Sequence, residues 1–139
     1  MIHYYHEIDQ LRMAEENNKL LRSCQTYIEK RSGTMVEVIV DAGICGFKAT
    51  IQIESENMQM ANIKIKTDCP NLKPMENELQ EADGYAVCFS KLGDGIIYEY
   101  AKKYCRHPGC PVPAAIIKGI EVACGLALPN DATIKINKV

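Results

Sequence analysis

Between Met35 and Lys66 the chain alternates apolar and polar residues three times over, with only short breaks between the runs. Val36, Val38 and Val40 form the first set, alternating with Glu37 and Ile39. Ala49, Ile51 and Ile53 form the second, within Phe47 to Glu54, and Ala61, Ile63 and Ile65 the third, spaced by Asn62, Lys64 and Lys66. A period of two places alternate side chains on one face of a strand. The breaks, Ala42-Gly43-Ile44-Cys45-Gly46 and Ser55 to Asn57, are short and turn-like. The pattern predicts a three-stranded antiparallel meander.

The flanks read as helix. Ile8, Leu11, Leu21, Cys24 and Ile28 recur at near-helical spacing and Gly33 is a stop, so residues 1–33 are expected to form an N-terminal helical segment of one helix or two. After the meander, Leu72, Met75 and Leu79 fit a short helix, and Tyr85 to Leu92 fits helix or strand equally well. Asp94 is placed to cap a helix from Ile96 to Tyr104. Pro113 opens a nearly all-apolar helix through Ile116, Ile117, Ile120 and Val122, broken only by Lys118 and Glu121, which has to be mostly buried. Pro129-Asn130-Asp131 then turns the chain into a closing C-terminal strand, Ala132 to Asn137. The expected class is α+β, with residues 34–139 as one α+β domain and no linker long enough to separate a second.

Composition narrows the function. At 139 residues with 47% hydrophobic content, the chain buries a core without needing disulfides. A net charge of −2 argues against nucleic acid as a partner. No apolar run is long enough to span a bilayer, and Met1 to Gln10 lacks a signal core, so a cytoplasmic location and no membrane partner are expected. In that reducing compartment seven cysteines are not a disulfide framework. They point to metal, persulfide or redox chemistry, or serve as small buried apolar residues. Phosphate-binding glycine loops, Gly-x-Ser-x-Gly and His-Glu-x-x-His are absent from the sequence.

Context sorts the cysteines. Cys24, Cys88 and Cys124 sit among apolar neighbours and are assigned to the core. Cys45 lies in Gly43-Ile44-Cys45-Gly46, where small neighbours let backbone N–H groups approach a ligand. Cys69 precedes Pro70, and Pro74 in the next helix makes Asn71 its expected N-cap. Cys110 precedes Pro111 and is itself the expected N-cap of the apolar helix, where the dipole and free N–H groups favour a thiolate. A Pro-Gly turn in Arg106-His107-Pro108-Gly109 brings Cys105 toward Cys110. Cys45, Cys69, Cys105 and Cys110 are thus the candidate ligands of a tetrahedral zinc or an iron–sulfur cluster. A nucleophilic or persulfide-carrying thiol and turn cysteines without chemistry are the other readings. Cys-x4-Cys is the only close pair, so the fold has to assemble any such site. His107 is a further ligand or base candidate. His3 and His6 fit a surface turn, and Asp41, Asp68, Asp83 and Asp94 border turns as capping residues.

Two resemblances follow. Asp41-Ala-Gly-Ile-Cys45-Gly-Phe, Asp68-Cys69-Pro70 and Cys110-Pro-Val-Pro113, within residues 36–137, resemble a family of small, functionally uncharacterised proteins of anaerobic bacteria and archaea. That setting suits an oxygen-sensitive cluster. Cys110-Pro111-Val112-Pro113, the helix after it, Gly125 and a strand are similar to the Cys-Pro-x-Pro element of TusA-like sulfur carriers. This implies a persulfide on Cys110. The leading expectation is a cysteine-ligated metal or iron–sulfur protein, an accessory or carrier factor. Sulfur transfer at Cys110 is the alternative, as is an interaction module whose N-terminal helix docks a protein partner or a second copy.

Overall fold

A computed structural model describes residues 34–139. The three alternating runs are strands β1 (Thr34–Asp41), β2 (Lys48–Ser55) and β3 (Met60–Thr67). They pair antiparallel in register, Val38 facing Ile51 and Ile51 facing Ile65. Matching inner positions thus form one apolar face, and Ala49, Ile51, Ile53, Ala61, Ile63 and Ile65 are all buried. The β2–β3 turn is closed by Asn57, whose side chain accepts from the N–H groups of Gln59 and Met60.

A fourth strand, β4 (Glu81–Asp83), pairs antiparallel with β3, so the sheet order is β1-β2-β3-β4 rather than a three-stranded meander. Its sequence, Glu-Ala-Asp, contains one apolar residue and therefore carries no visible period. Four helices follow the third strand: α1 (Met75–Glu78), α2 (Gly84–Cys88), α3 (Ile96–Tyr104) and α4 (Val112–Ala123). Asp83 caps α2 by accepting from the Ala86 N–H at 3.0 Å, as its place at a turn led one to expect. Asp94 does not cap α3. Gly95 does, at φ 85°, a left-handed conformation that an aspartate adopts less readily.

Helix α4 covers the inner face of β1 and β2. Ile116 and Ile120 are fully buried beneath it, as its apolar sequence required. The closest approach is at Gly119, where an added Cβ would lie 2.5 Å from Ile53 Cδ1 and 2.7 Å from Val38 Cγ2. The glycine forgoes helix propensity to let the backbone reach the sheet. Helices α1 and α2 pack against β3 and α4 respectively, filling the rest of the layer with Leu72, Met75, Leu79 and Val87.

The expected closing strand does not form: residues 128–139 have no regular structure and no ladder partner among the described residues. Ile134 and Ile136 are 77% and 90% exposed. Alternation supplies a face for a strand but not an edge for it to join. The N-terminal helical segment expected over residues 1–33 lies outside the described residues.

Gly119→Val should destabilise the fold by about 2–3 kcal/mol, because the added methyls overpack against two stiff, buried neighbours. In urea unfolding the midpoint should fall with an unchanged slope. An unchanged midpoint would mean that α4 does not sit tightly on the sheet.

Candidate functional site

Strand direction decides which loops meet. In an antiparallel meander the end of β1, the start of β2 and the end of β3 lie together, and the register confirms it: Asp41 faces Lys48, and Ala49 faces Thr67. The β1–β2 loop carries Cys45, and Cys69 follows β3 by two residues. Topology alone thus brings these two cysteines to one end of the sheet. Helix α4, crossing the sheet at Gly119, starts at the same end and brings Cys110 there.

The β1–β2 loop is folded by its own atoms. The Gly43 N–H donates to the Asp41 carboxylate at 3.1 Å and the Gly46 N–H to the Gly43 carbonyl at 2.9 Å. Gly43 and Gly46 have φ of 81° and 73°. Two left-handed glycines leave Cys45 exposed between them.

Cys69 is fixed from both sides. Its N–H donates to the Thr67 hydroxyl at 3.1 Å, and its carbonyl accepts from the N–H groups of Leu72 and Lys73. The helical turn thus begins at Cys69, although regular α1 starts only at Met75 with Pro74 as N-cap; Asn71 is not the cap. Glu76 ties the turn back to the strand by accepting from the Thr67 N–H at 2.9 Å and pairing with Lys73 at 3.1 Å. First the Thr67 N–H and then Lys73 hold the Glu76 carboxyl below its ordinary range.

Cys105 caps the C-terminal end of α3, and Cys110 stands one residue before Pro111, the actual N-cap of α4. The helix therefore begins one residue later than its Cys-Pro pair suggests, since Pro111 takes the capping position itself. The His107 carbonyl accepts both the Cys105 thiol at 3.3 Å and the Cys110 N–H at 3.1 Å. This is the turn expected of Arg106-His107-Pro108-Gly109, and it gathers Cys105 and Cys110 around one carbonyl.

All four candidate cysteines, Cys45, Cys69, Cys105 and Cys110, line one cavity of about 460 Å³. Its wall is largely apolar, from residues such as Phe47, Leu72 and Val112, and Lys48, Arg106 and His107 add cationic or ionisable side chains. Cys45 is exposed and the other three half-buried. Among the described residues, no three His, Cys, Asp or Glu side chains converge tightly enough to hold a single metal ion. The thiols surround a space rather than a point.

Burial governs the Cys110 thiol. It pushes the pKa up to about 11, against the lowering by the Val112 N–H, while Cys105 and Cys69 raise it further. Where the helix mouth was expected to favour a thiolate, burial of Cys110 outweighs the lowering by the Val112 N–H. Cys124 and Cys88 bear out their assignment to the core in different degrees, Cys124 being 2% exposed and Cys88 half-buried against it. Burial raises the Cys88 thiol to about 11 as well. Cys24, His3 and His6 lie outside the described residues.

A tie between helices was not visible in the sequence. Tyr104 donates its hydroxyl to the Glu78 carboxylate, Lys103 pairs with the same group at 3.2 Å, and the Tyr100 hydroxyl donates to the Glu78 carbonyl at 3.1 Å. Tyr104 first and Lys103 second hold the Glu78 carboxyl below its ordinary range. These contacts lock α3 to α1 and so set Cys105 relative to Cys69. Glu78 and Tyr104 are 26 residues apart, and no local pattern announces the pair.

Residues 36–136 match the model of a family described as "Family of unknown function (DUF6951)". No curated protein and no solved structure matches significantly. Among the described residues no helix is long and apolar enough to cross a membrane.

In metal-free protein at pH 8, iodoacetamide should label Cys45 first and Cys110 slowly, since a thiol with a pKa near 11 is almost wholly protonated there. Labelling of Cys110 should accelerate steadily as the pH climbs toward 11. Its folded pKa lies above the unfolded value, so its contribution to stability is complete below about pH 9 and is lost as the pH rises toward 11. Site-resolved mass spectrometry measures the rates. Cys110 labelled as fast as Cys45 at pH 8 would refute the burial argument.

Proposed function

The chain belongs to that family of unknown function, and since the family brings no activity with it, we propose from the cavity itself that the protein binds an iron–sulfur cluster through Cys45, Cys69, Cys105 and Cys110. The observation that carries this reading is the meeting of four cysteines, from three separate stretches of chain, around one apolar-walled space.

The donor set fits a cluster better than one ion. Sulfurs at about 2.3 Å from a single zinc must sit about 3.8 Å from each other. The thiols here are not drawn together in that way. A polynuclear cluster needs four cysteinyl sulfurs set further apart, around a volume it fills itself. Lys48 and Arg106 on the rim offset the negative charge that four thiolates and their metal would carry. The apolar wall limits water and favours a group that is sensitive to it. Bound there, a cluster supplies one-electron chemistry or a unit that can be passed on. The chain's own part is to hold the thiols, exclude solvent and balance charge. Zinc at the same residues is the narrower variant, and it requires the Cys45 loop to move inward.

The sulfur-carrier alternative draws on the Cys-Pro-x-Pro segment, but the half-buried, protonated Cys110 thiol weighs against it. A carrier needs an accessible thiolate.

Protein purified and reconstituted without oxygen should bind iron and acid-labile sulfide and show the thiolate-to-iron absorption of a cluster. Replacing Cys69, Cys105 or Cys110 by Ala should abolish retention, and Cys45→Ala should weaken it. Cys124→Ala should leave metal content unchanged while lowering stability by about 1 kcal/mol. Metal analysis finding one zinc per chain would select the narrower variant. Retention of neither metal would refute the proposal. An extra sulfur on Cys110 alone would favour the carrier.

A further inference from the structure

Cys105 and Cys110 are near in sequence, and the fold brings them nearer. Fully extended, the five residue steps between them span about 17 Å. A disulfide tolerates Cα atoms no more than about 7 Å apart. The chain therefore has to reverse between the two, and it does. Pro108 and Gly109 form a turn, across which the Cys110 N–H donates to the His107 carbonyl at 3.1 Å. The Cys105 thiol donates to the same oxygen at 3.3 Å. One atom thus holds the Cys105 sulfur beside the Cys110 backbone. Both side chains pack against the core and line the same cavity.

The other two cavity cysteines are held differently. Cys69 is pinned through its own backbone, by the Thr67 hydroxyl on one side and the N–H groups of Leu72 and Lys73 on the other. Cys45 stands exposed between its two left-handed glycines. Burial is what raises the Cys110 thiol most, but of its sulfur neighbours Cys105 adds both a hydrogen bond and charge, Cys69 charge alone. The four thiols therefore contain one pair. Joining that pair leaves the turn in place: the Cys105 thiol gives up its bond to the His107 carbonyl, which keeps the Cys110 N–H.

We propose that Cys105 and Cys110 form a dithiol–disulfide couple, closed by a small disulfide such as oxidised glutathione and reopened by a dithiol. One sulfur of the pair attacks the S–S bond of the oxidant, forming a mixed disulfide and releasing one glutathione. The second sulfur attacks the bound sulfur, the Cys105–Cys110 bond forms and the second glutathione leaves. The protein gives up two electrons and two protons, and oxidised glutathione takes up both to become two thiols. Because the second attack is intramolecular and short in span, it outruns release of the mixed disulfide. Resting on the cluster reading, the couple also regulates it. The disulfide withdraws two of the four ligands, so the cavity accepts a cluster only while the pair is reduced. A bound cluster in turn protects the pair, since both sulfurs are then held by metal.

Full-length, metal-free protein treated with oxidised glutathione, then alkylated and digested with trypsin, should yield peptides 104–106 and 107–118 joined by a disulfide, with no glutathione retained on either. Cys45→Ser should pair to the same extent. Stable glutathione on Cys105 or Cys110, or either sulfur joined to another cysteine, would overturn the couple. For the gate, oxidised protein should lose uptake from a preformed glutathione-ligated iron–sulfur complex, and prior reduction with dithiothreitol should restore it. Equal uptake by oxidised and reduced protein would overturn the gate. Reduced protein that takes up no iron would sink the cluster reading and the gate with it. The peptide map is read without metal, so it keeps that failure apart from failure of the couple.

Discussion

Helix α4 meets the sheet through a glycine, and the position of most other parts follows from that contact. The inner face of β1 to β3 is a continuous apolar surface that cannot face water, and the one long, nearly all-apolar helix of the described chain is its cover. With Gly119 against Val38 and Ile53 the helix lies close and has little freedom to slide. Its first turn then falls at the end of the sheet where β1, β2 and β3 exchange their loops. The Cys-Pro-Val-Pro start of the helix is consequently delivered to the β1–β2 loop and to the residues after β3. A packing requirement and a strand topology, neither of them about sulfur, converge four cysteines on one cavity.

The parts of this arrangement differ in how far the sequence announces them. The three main strands were legible because each buries one face against a helix layer, which leaves a period of two at Val36 to Val40, Ala49 to Ile53 and Ala61 to Ile65. Helix α4 was legible through its apolar run and proline start, and α3 was placed over Ile96 to Tyr104, though Gly95 and not Asp94 caps it. Strand β4 was not, because three residues with one apolar side chain have no period to show. Residues 132–137 show the opposite failure, a clean strand pattern with no strand partner among the described residues. The four cysteines picked out by turn context line one cavity, since turns at one end of a meander are neighbours. The cap positions came out one or more residues off at Cys110 and Asn71, because prolines at the first turn fit several registers equally well. The Glu78–Tyr104 tie, a long-range pair, left no trace in spacing.

The β1 edge and residues 129–133 belong to one physical problem. A sheet edge with half-buried valines is costly to leave open, and small proteins commonly protect such edges with charge, proline or a covering loop. Here β1 carries Met35 and Ile39 exposed on its outer face, with Glu37 and Asp41 as its charges. Four strands with helices on one face are adequate for a core, and among the described residues a groove lies between β1 and α4, bordered by residues 129–133.

At that end the protonation of the thiols sets the terms of binding. A helix N-terminus contributes about 0.3–1 kcal/mol to an adjacent anion when exposed, and that is less than one unit of pKa at 1.36 kcal/mol per unit. Desolvation in the cavity acts in the opposite sense and prevails, so Cys110 is held as a thiol. Neighbouring Cys105 and Cys69 reinforce this, because a second or third thiolate in the same apolar space is repelled by the first. A cation placed among them reverses every term: it attracts each thiolate, removes their mutual repulsion and takes the place of solvent. Loading is then coupled to proton release and is favoured as the pH rises. The three half-buried cysteines gain most from that exchange. Cys45, exposed on its glycine-bounded loop, has the least desolvation to recover and would be the ligand whose bond to a metal opens and closes most easily.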